Sequence, residues 1–187
     1  MEIYVVRHGQ TDYNVKQVFQ GHIDIPLNDV GINQAKETAS KFENIDIDMI
    51  LVSPLQRAIQ TANYIKDVVG KPIIIEERLI ERCFGDLEGH KNRDDWNIKM
   101  MLDYEKNYSI EKIEPIQELF ERIYGLLQEI EENYKDKKII LVTHGAVSQV
   151  IECYFNGEPR SLDFEHLEPL TLNNCEVRKY NKRLERK

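Results

Sequence analysis

The sequence predicts a three-layer α/β/α domain built on a mostly parallel central sheet. Two observations carry this expectation: short apolar runs rich in β-branched residues, and the amphipathic helical stretches that fall between them. An apolar run without polar alternation suits a strand covered on both faces, the condition of a parallel sheet flanked by helices. Four such runs occupy residues 3–6, 49–52, 72–75 and 139–142.

Each intervening helix is read from its stripe. After the first run, Ile32, Ala35, Ala39 and Phe42 recur at helical spacing. After the second, Leu55, Ala58, Ile59, Ala62, Ile65 and Val69 form a stripe, with Ser53 expected as N-cap and Pro54 at the first helical position. Ile116, Leu119, Phe120, Ile123, Leu127 and Ile130 precede the fourth run, and Val147, Val150, Ile151 and Tyr154 follow it. Residues 170–180 read as a late strand at a sheet edge. Residues 90–114 break the rhythm, being polar with Trp96 and Met100-Met101, and are expected to form a helical insertion or lid over the carboxyl edge of the sheet. The whole of residues 1–187 reads as one domain.

Bulk properties narrow the function. The net charge of −8 argues against non-specific nucleic-acid binding, so the basic end at 178–187 is expected to be solvated. No apolar stretch is long enough for a membrane span, and no signal peptide is apparent, so a cytoplasmic location is expected. The cysteines, Cys83, Cys153 and Cys175, are widely spaced and lack a Cys-x-x-Cys pattern, which suits free thiols. Oligomeric state is not legible in a sequence.

Ligands of open parallel sheets bind where strands end, and four motifs fall at such ends. Arg7-His8-Gly9 follows the first run, and Ser53-Pro54-Leu55-Gln56-Arg57-Ala58 follows the second. Glu81 comes a short loop after the third, and Thr143-His144-Gly145 follows the fourth. Arg7-His8-Gly9 alone reads equally as a surface turn. Two histidines, two arginines and a carboxylate gathered at one edge suit phosphoryl transfer. Arg7 and Arg57 would clamp a phosphate, each pairing being worth about 4 kcal/mol at 4 Å and an effective dielectric near 20, before desolvation. One imidazole would attack phosphorus while the other donates to a non-bridging oxygen, and Glu81 would protonate the leaving oxygen. A zinc site on His8, His144 and Glu81 is the competing arrangement, disfavoured by two guanidiniums beside a cation. His90 and His166 are expected on the surface.

These residues resemble the histidine phosphatase superfamily, the group that contains the cofactor-dependent phosphoglycerate mutases and many small phosphatases. The resemblance runs through Arg7-His8-Gly9-Gln10-Thr11-Asp12-Tyr13-Asn14, then residues 19–27 with Gly31 and Gln34-Ala35. It continues in Ser53-Pro54-Leu55-Gln56-Arg57-Ala58-Ile59-Gln60-Thr61, in Glu81 with Gly85, Leu87, Glu88 and Gly89, and in Thr143-His144-Gly145. It implies a phosphoglycerate mutase-like fold, closest to small bacterial-type enzymes such as α-ribazole phosphatase, and no metal or organic cofactor. It further implies that His8 is the nucleophile that becomes phosphohistidine and Glu81 the proton donor. Arg7, Arg57, His144 and Asn14 would form the phosphate pocket, with Gln20, Gly21 and Gly145 on the substrate. His22 would bear on selectivity, and Phe84 would line the leaving-group side. The partner implied is a small phosphorylated metabolite. The chain departs from the mutases in lacking an arginine pair among Lys91, Arg93, Lys99, Lys106 and Lys112, which favours hydrolysis over a mutase reaction. A non-catalytic phospho-ligand binding module is the further alternative. A Gly-Glu-Ser motif common in the family is replaced by Ile113-Glu114-Pro115, which leaves Glu114 without an assigned role.

Overall fold

Residues 1–91 and 112–181 are described by the computed structural model, and along them strands and helices alternate as the sequence predicts. The first half runs β1 (Glu2–Arg7), α1 (Asp12–Lys16), α2 (Asp29–Ser40), β2 (Met49–Val52), α3 (Gln56–Val69) and β3 (Ile73–Ile75). Two 3₁₀ turns, Glu77–Leu79 and Gly85–Leu87, follow. The second half comprises α4 (Ile116–Asn133), β4 (Lys138–Thr143), α5 (Gly145–Asn156), α6 (Phe164–Leu167), a 3₁₀ turn at Glu168–Leu170 and β5 (Val177–Tyr180). Of the expected lid at 90–114, Arg93, Trp96, Lys99, Met100, Met101 and Lys106 lie outside the described residues.

The sheet order is β3-β2-β4-β1-β5, with every pairing parallel except that of β5 on β1. Successive strand residues point to opposite faces, and each face meets its own pair of helices. Ile3, Val5, Leu51, Ile139 and Leu141 pack with Leu119, Ile123 and Leu127 of α4 and Val147, Val150 and Ile151 of α5. Tyr4, Val6, Ile50, Val52, Ile140 and Val142 pack with Ala39, Ala58, Ala62 and Ile65 from α2 and α3. This is the three-layer arrangement. Each fully buried Ile, Leu or Val contributes about 1.5–3 kcal/mol, so both faces bind their helices firmly.

Four expectations need correcting. The 72–75 run is not buried on both faces: β3 is an edge strand, paired to β2 alone, and Ile74 and Ile75 are 44% and 45% exposed. The late strand shrinks to Val177–Tyr180, because the preceding residues turn away to wall the cleft described below. Phe42 is buried but lies beyond the end of α2. Ser53 does not cap α3 and Pro54 is not its first residue: the helix begins at Gln56, its N-cap is Leu55 without a side-chain bond, and the carboxylate of Asp24 accepts from Gln56 N at 2.6 Å.

One close approach presses the loop after β1 onto α2. Asn28 caps α2 by accepting from Gly31 N at 2.9 Å, and Asn28 N donates to the Gln10 carbonyl. A Cβ on Gly31 would lie 2.1 Å from that Gln10 oxygen, and one on Gly9 2.5 Å from the Gly31 oxygen. Only glycine fits where two backbones meet this closely. Gly31→Ala is therefore expected to destabilise the fold by about 1–3 kcal/mol. Gly125→Ala, on the exposed face of α4 with open space around its Cβ, should stabilise by about 0.5–1 kcal/mol. Urea denaturation of both variants checks the opposite signs.

Candidate active site

The strand order places three of the four sequence motifs side by side. β2, β4 and β1 are neighbours and end in register, with Val52 beside Val142 and Arg7 beside Thr143. Ser53 N donates to the Val142 carbonyl at 3.0 Å, and His8 N donates to the Thr143 carbonyl at 2.9 Å. The ladder thus delivers His8 and His144 to the same edge, with ring centroids 5.1 Å apart. Both rings are buried, at 2% and 0% exposure.

His8 is fixed by a single decisive bond. Its Nδ1 lies 2.7 Å from the carbonyl oxygen of Gly9. A carbonyl only accepts, so Nδ1 carries the proton and Nε2 keeps its lone pair. Burial, reinforced by the Arg57 and Arg7 guanidiniums, pushes the His8 pKa well below the ordinary histidine range. The same burial, with Arg57 and His8 next in weight, does so for His144. His144 Nε2 lies 2.6 Å from Ser53 Oγ, while its Nδ1 is buried without a hydrogen-bond partner among the described residues.

Arg57 sits in the first turn of α3 with no exposed surface. It donates to the carbonyls of Ile23 and Gly21, both at 2.8 Å, and its Nε has no partner among the described residues. Desolvation brings its pKa down to about 10, opposed by Glu81, Asp24 and Glu88; it remains a cation at neutral pH. Arg7 donates to the Leu172 carbonyl at 2.7 Å, and its guanidinium lies over the N-terminus of α5, where a Cβ on Gly145 would be 3.5 Å from Arg7 Cζ. Glu81 is 9% exposed, accepting from Arg82 N at 2.9 Å and from Ala146 N at 3.4 Å.

A cleft of about 600 Å³ opens over this edge. Its lining includes Arg7, His8, Asn14, Gln20, Gly21, Arg57, Glu81, Phe84 and Gly145, nine of the residues singled out in the sequence. Asn14 and Gln20 converge on Thr11, whose hydroxyl lies 3.0 Å from Asn14 Oδ1 and 2.9 Å from Gln20 Oε1. His144 lies behind the lining. His22 stands outside it as well: its Nε2 donates to the Glu81 carbonyl at 2.8 Å, so it touches the Glu81 loop and not the cleft. His90 and His166 are on the surface. Among the described residues no group of three or more His, Cys, Asp or Glu is arranged to hold a metal ion, and no helix is long and apolar enough to cross a membrane.

Sequence reasoning missed three parts of the cleft. Asn174 Nδ2 donates to the His8 carbonyl at 3.0 Å from 166 residues away, with no local signal to announce it. Arg82 is a fully buried guanidinium in the lining; its place beside Glu81 was the available clue. Gln149 of α5 also lines the cleft, bonded to Thr171 Oγ1 at 2.6 Å.

With this geometry in hand, similarities to known proteins can be read. The profile of the histidine phosphatase superfamily (branch 1) matches residues 3–187. An uncharacterised phosphatase, PhoE, of Bacillus subtilis is 33% identical over 177 residues, 93% of this chain and 87% of that protein. A putative phosphoserine phosphatase 2 of Hydrogenobacter thermophilus is 29% identical over 183 residues, covering 94% of this chain and 86% of its own. Among solved structures, a putative α-ribazole-5′-phosphate phosphatase of Escherichia coli superposes with a TM-score of 0.80 at 25% identity, over 96% of this chain and 89% of that one.

Two buried neutral imidazoles set a pH dependence. In the unfolded chain a histidine protonates near its ordinary value, about 6.5. The folded chain resists protonation at His8 and His144, so below that pH it binds fewer protons than the unfolded chain. Stability therefore falls as pH drops, the slope for each histidine approaching about 1.4 kcal/mol per pH unit well below that value. Denaturant titrations between about pH 7 and about pH 5 should show a shallower slope for His144→Gln than for the parent.

Proposed function

Because the chain belongs to the histidine phosphatase superfamily and is a phosphatase of that type, we propose that it hydrolyses a small organic phosphomonoester, without a metal ion, through a phosphohistidine intermediate on His8 with Glu81 as proton donor. The observation that carries this reading is the His8 Nδ1–Gly9 carbonyl bond, which leaves a lone pair on Nε2 of a buried, neutral ring under the influence of the Arg57 and Arg7 guanidiniums.

The reaction follows from these positions. Arg7 and Arg57 draw the phosphate dianion to the ends of β1 and α3. His8 Nε2 attacks phosphorus as the bond to the leaving oxygen breaks, and Glu81 gives that oxygen its proton. With the Ser53 hydroxyl donating to His144 Nε2, the neutral His144 ring carries its proton on Nδ1, the atom without a partner. The first amides of α5, which follow His144, meet the non-bridging oxygens as charge shifts onto them, with the His144 ring behind the lining. Glu81, now a carboxylate, takes a proton from water, whose oxygen attacks phosphorus and breaks the P–N bond. Inorganic phosphate leaves, and the phosphoryl group does not pass to a second substrate hydroxyl.

The organic part of the substrate lies against Phe19 and Phe84, whose rings are 4.9 Å apart in the cleft wall, and the 600 Å³ volume suits a small metabolite. Turnover of p-nitrophenyl phosphate should persist in a chelator. His8→Ala should reduce it at least about a thousandfold and abolish trapping of radiolabelled phosphate on the protein. Undiminished activity of that variant would contradict the nucleophile. Glu81→Gln should cost about a hundredfold or more in kcat/KM on phenyl phosphate, a poor leaving group, and far less on p-nitrophenyl phosphate. Equal losses on the two esters would remove Glu81 as the acid.

A further inference from the structure

Glu81 lies on neither a helix nor a strand; it follows the 3₁₀ turn Glu77–Leu79 on a loop. A general acid needs its proton within hydrogen-bond reach of the leaving oxygen, so something other than regular structure must hold it. On the far side from the cleft, Glu114 and Arg122 form a largely buried pair, Glu114 Oε1 to Arg122 Nε at 2.6 Å and Oε2 to NH2 at 3.1 Å. Both partners reach the acid's loop. Arg122 NH1 donates to the carbonyl of Arg78, three residues before Glu81. Glu114 Oε2 accepts from Cys83 N at 3.2 Å, and Glu114 N donates to the Cys83 carbonyl at 3.0 Å, two residues after it. The Glu114 carbonyl accepts from Arg82 Nε at 2.8 Å.

We infer that the Glu114–Arg122 pair is the positioning device for the proton donor: it fixes the loop on both sides of Glu81 to the rigid helix α4 and so sets where the carboxyl meets the leaving oxygen. The inference rests on the assignment of Glu81 as the acid. A bidentate arginine–carboxylate fork fixes angle as well as distance, and α4 is anchored to the sheet by Leu119, Ile123 and Leu127. Neither Glu114 nor Arg122 lines the cleft, so neither touches the substrate's phosphate.

The test is a leaving-group series read as kcat/KM, which reports the steps up to departure of the leaving group and excludes hydrolysis of the phosphoenzyme. Glu114→Ala should lower kcat/KM for phenyl phosphate by about tenfold or more, while p-nitrophenyl phosphate, which needs little protonation, loses less than about threefold. Glu114→Gln, which keeps an oxygen acceptor for Cys83 N and Arg122, should recover most of the loss. Orthovanadate affinity, set by Arg7, Arg57 and His8, should stay within about twofold of the parent in both variants, which certifies the fold of the pocket. A uniform loss across the series in Glu114→Ala, with Glu81→Gln still selective for poor leaving groups, overturns the positioning role alone. Uniform losses in both variants overturn the acid assignment and this inference with it.

Discussion

The parallel pairing of β1 with β4 is the interaction on which the rest of this structure depends. Six residue pairs run in register from Glu2 beside Lys138 to Arg7 beside Thr143. A slip of one residue would turn every strand side chain to the opposite face, exchanging the α4–α5 core with the α2–α3 core. It would also part the two histidines, because each occupies the first position past the ladder. The placement of the two histidines and the core packing are therefore fixed by the same hydrogen bonds, and neither can vary without the other.

Charge in the cleft follows a different logic from charge elsewhere in the fold. Arg122 and Arg178 each form salt bridges with carboxylates, as ion pairs that hold elements together. Arg57 donates instead to two backbone carbonyls, which orient the guanidinium without cancelling its charge. Burying a cation in this way is costly, and the fall of its pKa to about 10 is the sign of that cost. Burial first, and this field second, hold the two imidazoles neutral. A site preorganised for an anion stabilises it without reorganising when it arrives.

Much of this was legible in the sequence because the signals are short. A β-branched run followed by Arg-His-Gly or Thr-His-Gly contains both the strand and the chemistry it ends in, and nine of the residues singled out line the cleft. Properties that depend on sheet order were not legible. No local window reveals that residues 73–75 form an edge strand, or that the Ser53 hydroxyl, besides accepting from Leu55 N, lies 2.6 Å from His144 Nε2. His22 carried a sound motif position, but its ring direction is set by where the Glu81 loop crosses it. Glu114, left without a role by its unusual neighbours, acquires one only when α4 brings Arg122 alongside.

The first strand of the chain lies between two of the last. β1 is flanked by β4 and β5, whose residues begin at Lys138 and end at Tyr180, and the His8 carbonyl is held by Asn174. During synthesis His8 therefore leaves the ribosome long before the two strands that flank β1 exist. Contacts of such sequence separation slow folding, because a long loop must close before they form. The nascent chain accordingly carries an unpaired apolar strand, residues 3–6, until β4 has been made. β1 has both of its partners only when residues 138–143 and 177–180 are present. The edge that joins His8 to His144 therefore waits for β4, and the wall at Asn173 and Asn174 is added after it.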